Sequence, residues 1–245
     1  MPNDFFQFQQ FRICHDRCAM KVGTDGVLLG AWGDVTGSRI LDIGTGTGLI
    51  ALMAAQRNHH ARVFGIDIDK AAILQAQENI AESPFCGRVK CQLQDVLTFR
   101  PEERFDAILC NPPFFTEDTL PDDASRILAR NSKSMPFDQL IPKVASMLGG
   151  DGAFSVIIPY EHAAEFIGLC LASDLHLQRR CLVHTTPRKP PRRTMLTFSP
   201  NGGRAYSGNG CCAQSIRNES DELCLMNPDG TRSQAYQELT RDFYL

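Results

Sequence analysis

Leu41-Asp42-Ile43-Gly44-Thr45-Gly46-Thr47-Gly48-Leu49 is an aliphatic run that ends in glycine at every second position and then enters a second apolar stretch. Glycines in such a turn allow sharp bending and let a ligand approach the backbone closely. The spacing is Gly-x-Gly-x-Gly, whereas the dinucleotide fingerprint is Gly-x-Gly-x-x-Gly. Asp42, two residues before Gly44, repels a phosphate but not a cationic ligand that carries an amino acid. The segment therefore reads as a strand, a ligand-binding turn and a helix.

The same alternation continues on both sides. Arg39–Ile43, Arg62–Ile66, Val89–Leu93, Phe105–Cys110 and Ala153–Pro159 have strand character. Helical spacing marks Leu49–Arg57, Asp69–Glu82 with Asp69 as its cap, Phe137–Leu148 closed by Gly149-Gly150-Asp151-Gly152, and Tyr160–Ala172. Two more strands, Leu175–His184 and Arg193–Ser199, flank a proline-rich loop. A strand at Glu222–Met226 and a helix at Ser233–Phe243 follow an irregular stretch. This order predicts an α/β fold with a doubly wound, mostly parallel sheet and an antiparallel final strand.

The glycine segment resembles the first motif of class I methyltransferases, whose ligand S-adenosylmethionine (SAM) carries a sulfonium and an ammonium. Gly44, Gly46 and Gly48 then cradle the ligand, with Asp42 beside them. Asp67 ends the next strand, where a carboxylate accepts both hydrogen bonds of a ribose diol, and Ile68 beside it is placed to face the adenine. Asp95, followed by Val96, resembles the acid that receives the adenine amino group; the competing reading is a helix cap.

Asn111-Pro112-Pro113-Phe114 follows the fourth strand and resembles the Asn-Pro-Pro-aromatic motif of enzymes that methylate planar nitrogens. The lone pair of an adenine amino group is delocalised into the ring, so it is a poor nucleophile. The Asn111 side chain and the Pro112 carbonyl can accept its two N–H bonds and aim the lone pair at a methyl donor. The prolines, Pro113 included, hold that carbonyl in place. Phe114 can stack on the base, an interaction worth about 1–3 kcal/mol. The motif also occurs in enzymes that methylate glutamine side chains or DNA adenine.

Upstream, His15 to Trp32 includes Lys21-Val22-Gly23-Thr24-Asp25-Gly26-Val27-Leu28-Leu29-Gly30-Ala31-Trp32. Thr24 reads as a helix cap, with Val27, Leu28 and Ala31 on the buried face. This strip, Leu41–Leu49, Gln75–Ile80, Asn111–Phe114 and the closing Phe243-Tyr244-Leu245 together resemble the bacterial tRNA(Val) adenine-37 N6-methyltransferase family. The resemblance spans most of the chain. It implies that Lys21, Gly23 and Thr24 lie over the cofactor and that the substrate is tRNA. Residues 201–218, with Cys211-Cys212, depart from it most. The alternatives are a protein-glutamine N5-methyltransferase, an N6-adenine methyltransferase of another RNA such as ribosomal RNA, and a non-catalytic binding module. The intact tetrapeptide argues against the last. The thirty-odd residues before Ser38 are too few for the separate substrate domain that glutamine methylation usually employs. The expected organisation is an N-terminal extension over the cofactor (1–37), a methyltransferase domain (38–200) and a C-terminal extension packed on it (201–245).

The 245 residues carry a net charge of −3 and are 43% hydrophobic, which suits a globular chain with a substantial core. No apolar run is long enough to span a membrane and no signal-peptide pattern opens the chain, so the expected location is the cytoplasm. The ten cysteines are scattered with no Cys-x-x-Cys pair, so they read as reduced core residues rather than metal ligands. No metal and no obligate protein partner are expected. The charge is uneven: residues 175–218 hold Arg179, Arg180, Arg188, Lys189, Arg192, Arg193, Arg204 and Arg217 with no acid, a local +8. The rest, with 17 basic and 28 acidic residues, sums to −11. Such a segment fits a phosphate-gripping edge, with Arg188, Lys189, Arg192 and Arg193 as RNA contacts.

Overall fold

A computed structural model describes residues 4–18, 21–113, 135–200 and 221–245. The strands are β1 (Phe5–Gln7), β2 (Arg12–Cys14), β3 (Arg39–Ile43), β4 (Arg62–Asp67), β5 (Val89–Leu93), β6 (Phe105–Cys110), β7 (Leu148–Pro159), β8 (His176–His184), β9 (Arg193–Ser199) and β10 (Asp221–Cys224). The helices are α1 (Thr24–Trp32), α2 (Leu49–Arg57), α3 (Lys70–Ala81), α4 (Phe137–Met147), α5 (Ala163–Ala172) and α6 (Gln234–Thr240).

Eight strands form one sheet in the order β10-β8-β9-β7-β6-β3-β4-β5. Strands β3 to β7 pair in parallel, β9 runs antiparallel to both β7 and β8, and β10 adds a further edge parallel to β8. The side-chain period of two divides the core. Ile40, Ala107 and Leu109 face one layer, with α1, α2 and Tyr236 of α6, while Leu41, Ile43, Ile108 and Cys110 face the other, with α4 and α5. The sheet is thus covered on both faces, as a parallel sheet requires.

Three local expectations change. Gly149–Gly152 does not merely close a helix; it lies inside β7. Phe105 is level with Leu148 but Ala107 with Ala153, so the glycine run is an irregularity absorbed against β6. A Cβ on Gly152 would sit 2.7 Å from the Leu148 side chain. Tyr160–His162 is a single 3-10 turn before α5. The β1–β2 hairpin, which local periodicity does not reveal, pairs Phe5 with Cys14 and Gln7 with Arg12.

The hairpin meets the other end of the chain. The Gln9 N–H donates to the Phe243 carbonyl at 2.9 Å, and the Gln56 side chain donates to that of Asp242 at 2.6 Å. Tyr244 packs against Phe6, Phe8 and Tyr236. No helix among the described residues is long and apolar enough to cross a membrane. Cys110, Cys170 and Cys181 are buried core residues, and burial pushes the Cys181 thiol up to about 12.

Candidate active site

Registers align the carboxyl ends of four neighbouring strands. Ile43 is level with Ile66 and with Cys110, and Asp67 with Leu93. Gly44, Asp67, Asn111 and, two residues past Leu93, Asp95 are therefore brought to one edge of the sheet. Ligands of open α/β sheets bind at this edge, outside the strand ends.

The glycine turn is built as its sequence requires. Gly44, Gly46 and Gly48 all have positive φ (69°, 55° and 84°), a conformation that disfavours side chains. A Cβ on Gly44 would meet nothing within 4 Å, so the backbone there stands open to a ligand. Gly48 is different: it is buried, caps α2, and a Cβ on it would touch Ala76 of α3.

Asp42 does not face that opening. It is 0% exposed, and Oδ2 accepts from the Thr45 hydroxyl (2.7 Å) and the Ala51 N–H (3.1 Å). It braces the turn against the first turn of α2 rather than meeting a ligand's charge directly. Burial, only partly offset by these two bonds, pushes its carboxyl up to about 7.

Asp67 is half-buried at the tip of β4. One oxygen accepts from the Gly46 N–H and the other from the Asp69 N–H, both at 2.9 Å. A carboxylate has about four lone-pair sites, so each oxygen retains acceptor capacity towards the opening. Asp69 is the cap of α3, accepting from the Ala71 N–H at 2.9 Å. Ile68 is 49% exposed beside them, a large apolar surface of the kind a purine covers. Asp95 has both expected characters: it is exposed at the edge, and its Oδ1 accepts from the Leu97 N–H at 2.9 Å. The Val96 side chain is buried in the core with Ile66 and presents no surface to a ligand.

Asn111 and Pro113 are half-buried and Pro112 buried, directly after β6. Phe114, like Arg204, Arg217 and Cys211-Cys212, lies outside the described residues.

The N-terminal strip is tied to this edge by α3. The Asn79 side chain accepts from the Cys14 N–H (2.9 Å) and donates to the carbonyls of Cys14 (3.0 Å) and Thr47 (2.9 Å), joining hairpin to glycine turn. Gln75 accepts from the Arg17 N–H at 3.2 Å. Burial, with the carboxylates of Asp69 and Asp67 adding to it, raises the Cys18 thiol to about 11. Lys21, Gly23 and Thr24 are exposed. The cap of α1 is Gly23, with no side-chain bond, and Thr24 is the first helical residue. A Cβ on Gly26 would lie 3.1 Å from Leu49, which sets the start of α1 beside the start of α2.

The basic loop also reaches this edge. Arg193 is level with Pro159, the last residue of β7. Arg188, Lys189 and Arg192 are exposed. Arg193 is not free for RNA: its Nε is 2.8 Å from Asp25 Oδ2, in the first turn of α1. That link is invisible locally because 168 residues separate the pair. Among the described residues no group of three or more His, Cys, Asp or Glu side chains is placed to hold a metal ion.

A glycine turn after the first sheet strand, acids at the next two strand ends and a reversed strand beside β7 define the class I methyltransferase fold. A predicted O-methyltransferase from Agrobacterium tumefaciens shares it (TM-score 0.63, 18% identity, 89% of this chain and 96% of that one). So does a ribosomal protein L11 methylase from Lactobacillus delbrueckii (TM-score 0.54, 20% identity, 76% and 83%). Residues 22–138 match the methyltransferase small domain. Over the whole chain, the similarity is to tRNA1(Val) (adenine(37)-N6)-methyltransferases: 44% identity with that of Phocaeicola vulgatus (100% of this chain, 99% of the relative). With that of Citrobacter koseri it is 39% (98% and 94%). The chain belongs to the tRNA1(Val) (adenine(37)-N6)-methyltransferase family.

Proposed function

We propose that this protein transfers a methyl group from SAM to N6 of adenine 37 in tRNA1(Val). The observation that carries the reading is the convergence at one sheet edge of the open glycine turn, Asp67, Asp95 and Asn111-Pro112, in a chain whose relatives bear that name over their full length.

The residues present fit SAM. Gly44 and Gly46 leave their backbone open for close approach, Asp67 keeps acceptor capacity for a diol, and Asp95 is exposed to receive an amino group. Lys21, Gly23 and Thr24, which are exposed at and before the start of α1, are assigned to cover the cofactor. When bound, SAM supplies an electrophilic methyl on a sulfonium.

The chain itself orients the acceptor. The Asn111 side-chain oxygen and the Pro112 carbonyl accept the two N–H bonds of the adenine amino group, which draws its nitrogen lone pair out of conjugation with the ring and points it at the methyl. Fixed φ at the two prolines holds this geometry before substrate arrives. No base is needed before transfer, because the methylated nitrogen is acidic and then releases its proton to solvent. Arg188, Lys189 and Arg192 take phosphates of the RNA.

The test is label transfer from methyl-labelled SAM to a tRNA1(Val) transcript, to the same transcript with guanine at position 37, and to a release factor. Label in the first transcript alone is expected. Label only in the protein would establish glutamine methylation instead.

A further inference from the structure

Tyr160 stands at the active-site end of the sheet with 41% of its surface exposed. The other comparably exposed aromatic among the described residues, Phe5, lies under the Arg12 guanidinium at 4.5 Å. No ring or guanidinium among the described residues packs on Tyr160. Tyr160 thus keeps a large exposed surface, shared with no other ring among the described residues, at the end of the sheet where the proposed reaction takes place.

Its placement is specific. Val156 of β7 is level with Cys110, the residue before Asn111, so Tyr160 emerges one strand over from the tetrapeptide and four residues beyond that level. On its other side the Tyr160 N–H donates to the Arg192 carbonyl at 3.2 Å, which fixes its backbone to the exit of the basic loop. Arg192 is exposed, as are Lys189 and Arg188 further along the same loop. The adjoining acids are Glu161, which is exposed, and Glu165, 4.0 Å from His162. The neighbouring Arg193–Asp25 pair holds this rim in register with α1.

An open aromatic face bordered by exposed cations is the chemistry that takes an unpaired nucleotide: the ring stacks on the base and a guanidinium meets the phosphate. We infer that Tyr160 is a substrate-contact residue, a stacking platform for an unpaired nucleotide flanking the target adenine, whose phosphate Arg192 holds. The target base itself must reach Asn111, so the base on Tyr160 is a neighbour splayed from the same loop. The inference rests on the RNA methyltransferase reading and adds to it a second base contact, to a nucleotide flanking the target.

The experiment uses the full chain and tRNA1(Val) transcripts carrying 2-aminopurine on one or the other side of the target adenine. Wild-type protein is expected to quench one of the two probes. Tyr160→Ala should lose the quench and raise KM for tRNA about ten-fold or more, with the larger effect on KM than on kcat, and with SAM affinity retained. Tyr160→Phe, which keeps the ring, should restore both quench and KM. Tyr160→Leu, which keeps apolar bulk without the flat face, should behave as the alanine variant and serves if the latter folds poorly. The inference is overturned if Tyr160→Ala and Tyr160→Leu match wild type. It is equally overturned if Tyr160→Phe fails like them, which would assign the effect to the hydroxyl. Absence of methylation of any tRNA by the wild type would instead remove the underlying reading.

Discussion

Asp42 is a carboxyl with no solvent contact and two donors on one oxygen only; Oδ1 is buried without a hydrogen-bond partner. Its ionised form is destabilised by that environment, which is why its pKa rises to about 7 from 3.8. The folded state therefore binds a proton that the unfolded chain gives up more readily. The contribution is fully present below the unfolded value and is lost as pH rises through about 7. Asp42→Asn keeps an oxygen for Thr45 and Ala51 but does not titrate. Thermal melts between pH 5 and 8 should show wild-type stability falling with pH more steeply than that of the variant; parallel curves would contradict the assignment. Asn111 lies at the opposite extreme, half-buried and poised for a substrate. If its oxygen orients the amino nitrogen, Asn111→Ala should lower kcat by about 100-fold or more. SAM affinity by calorimetry should be nearly unchanged, because the cofactor contacts lie on other strands. A fully active Asn111→Ala enzyme would refute the role.

Helix α1 shows what a local reading reaches and where it stops. Its apolar spacing identifies a helix, and Val27, Leu28 and Ala31 are indeed buried. What positions it comes from elsewhere: Gly26 against Leu49, Gly30 against Met53, and Asp25 against Arg193. A Cβ on Gly30 would lie 2.5 Å from Met53 Sδ, so α1 and α2 approach backbone to side chain. The Asp25–Arg193 pair is about one-third exposed on both sides, and such pairs contribute modestly, about 1 kcal/mol or less. Its importance is positional. Asp25→Ala and Arg193→Ala should each speed amide exchange over residues 23–27 and weaken SAM binding by about two- to five-fold. The double variant should be no worse than either single one. Additive losses would show that the two act separately. The parallel strands and the glycine turn are legible because their signals are contiguous. The β1–β2 hairpin is not: its strands are three residues each, and Phe6, Phe8 and Phe11 find their partners in Tyr244 and Phe85. Asp42 departs from expectation for a related reason. Its proximity to the turn is readable locally, but which face of β3 it occupies is settled by the packing of α2.

For the whole molecule, the −3 net charge conceals a basic loop whose exposed members gather at the active-site edge. Under the proposed function, long-range attraction would steer RNA to that end of an otherwise acidic surface. Reversing Arg188, Lys189 and Arg192 to Glu should weaken tRNA binding strongly while sparing SAM binding. It should also flatten the dependence of log K on log salt by about 0.7–0.9 for each phosphate that is no longer neutralised. An unchanged salt slope would place the RNA elsewhere. Arg193 belongs outside that set, because its reversal would also oppose Asp25. Around the same core the two ends of the chain are joined: Gln9 to Phe243, Gln56 to Asp242, and Tyr244 to Phe6 and Phe8. The hairpin and the strip that Asn79 ties to the glycine turn precede the first sheet strand, yet the hairpin's aromatic partner Tyr244 follows the last one. Closing the hairpin onto the sheet therefore depends on contacts of very high sequence separation, which places this step late in folding, after the locally connected strands and helices have formed.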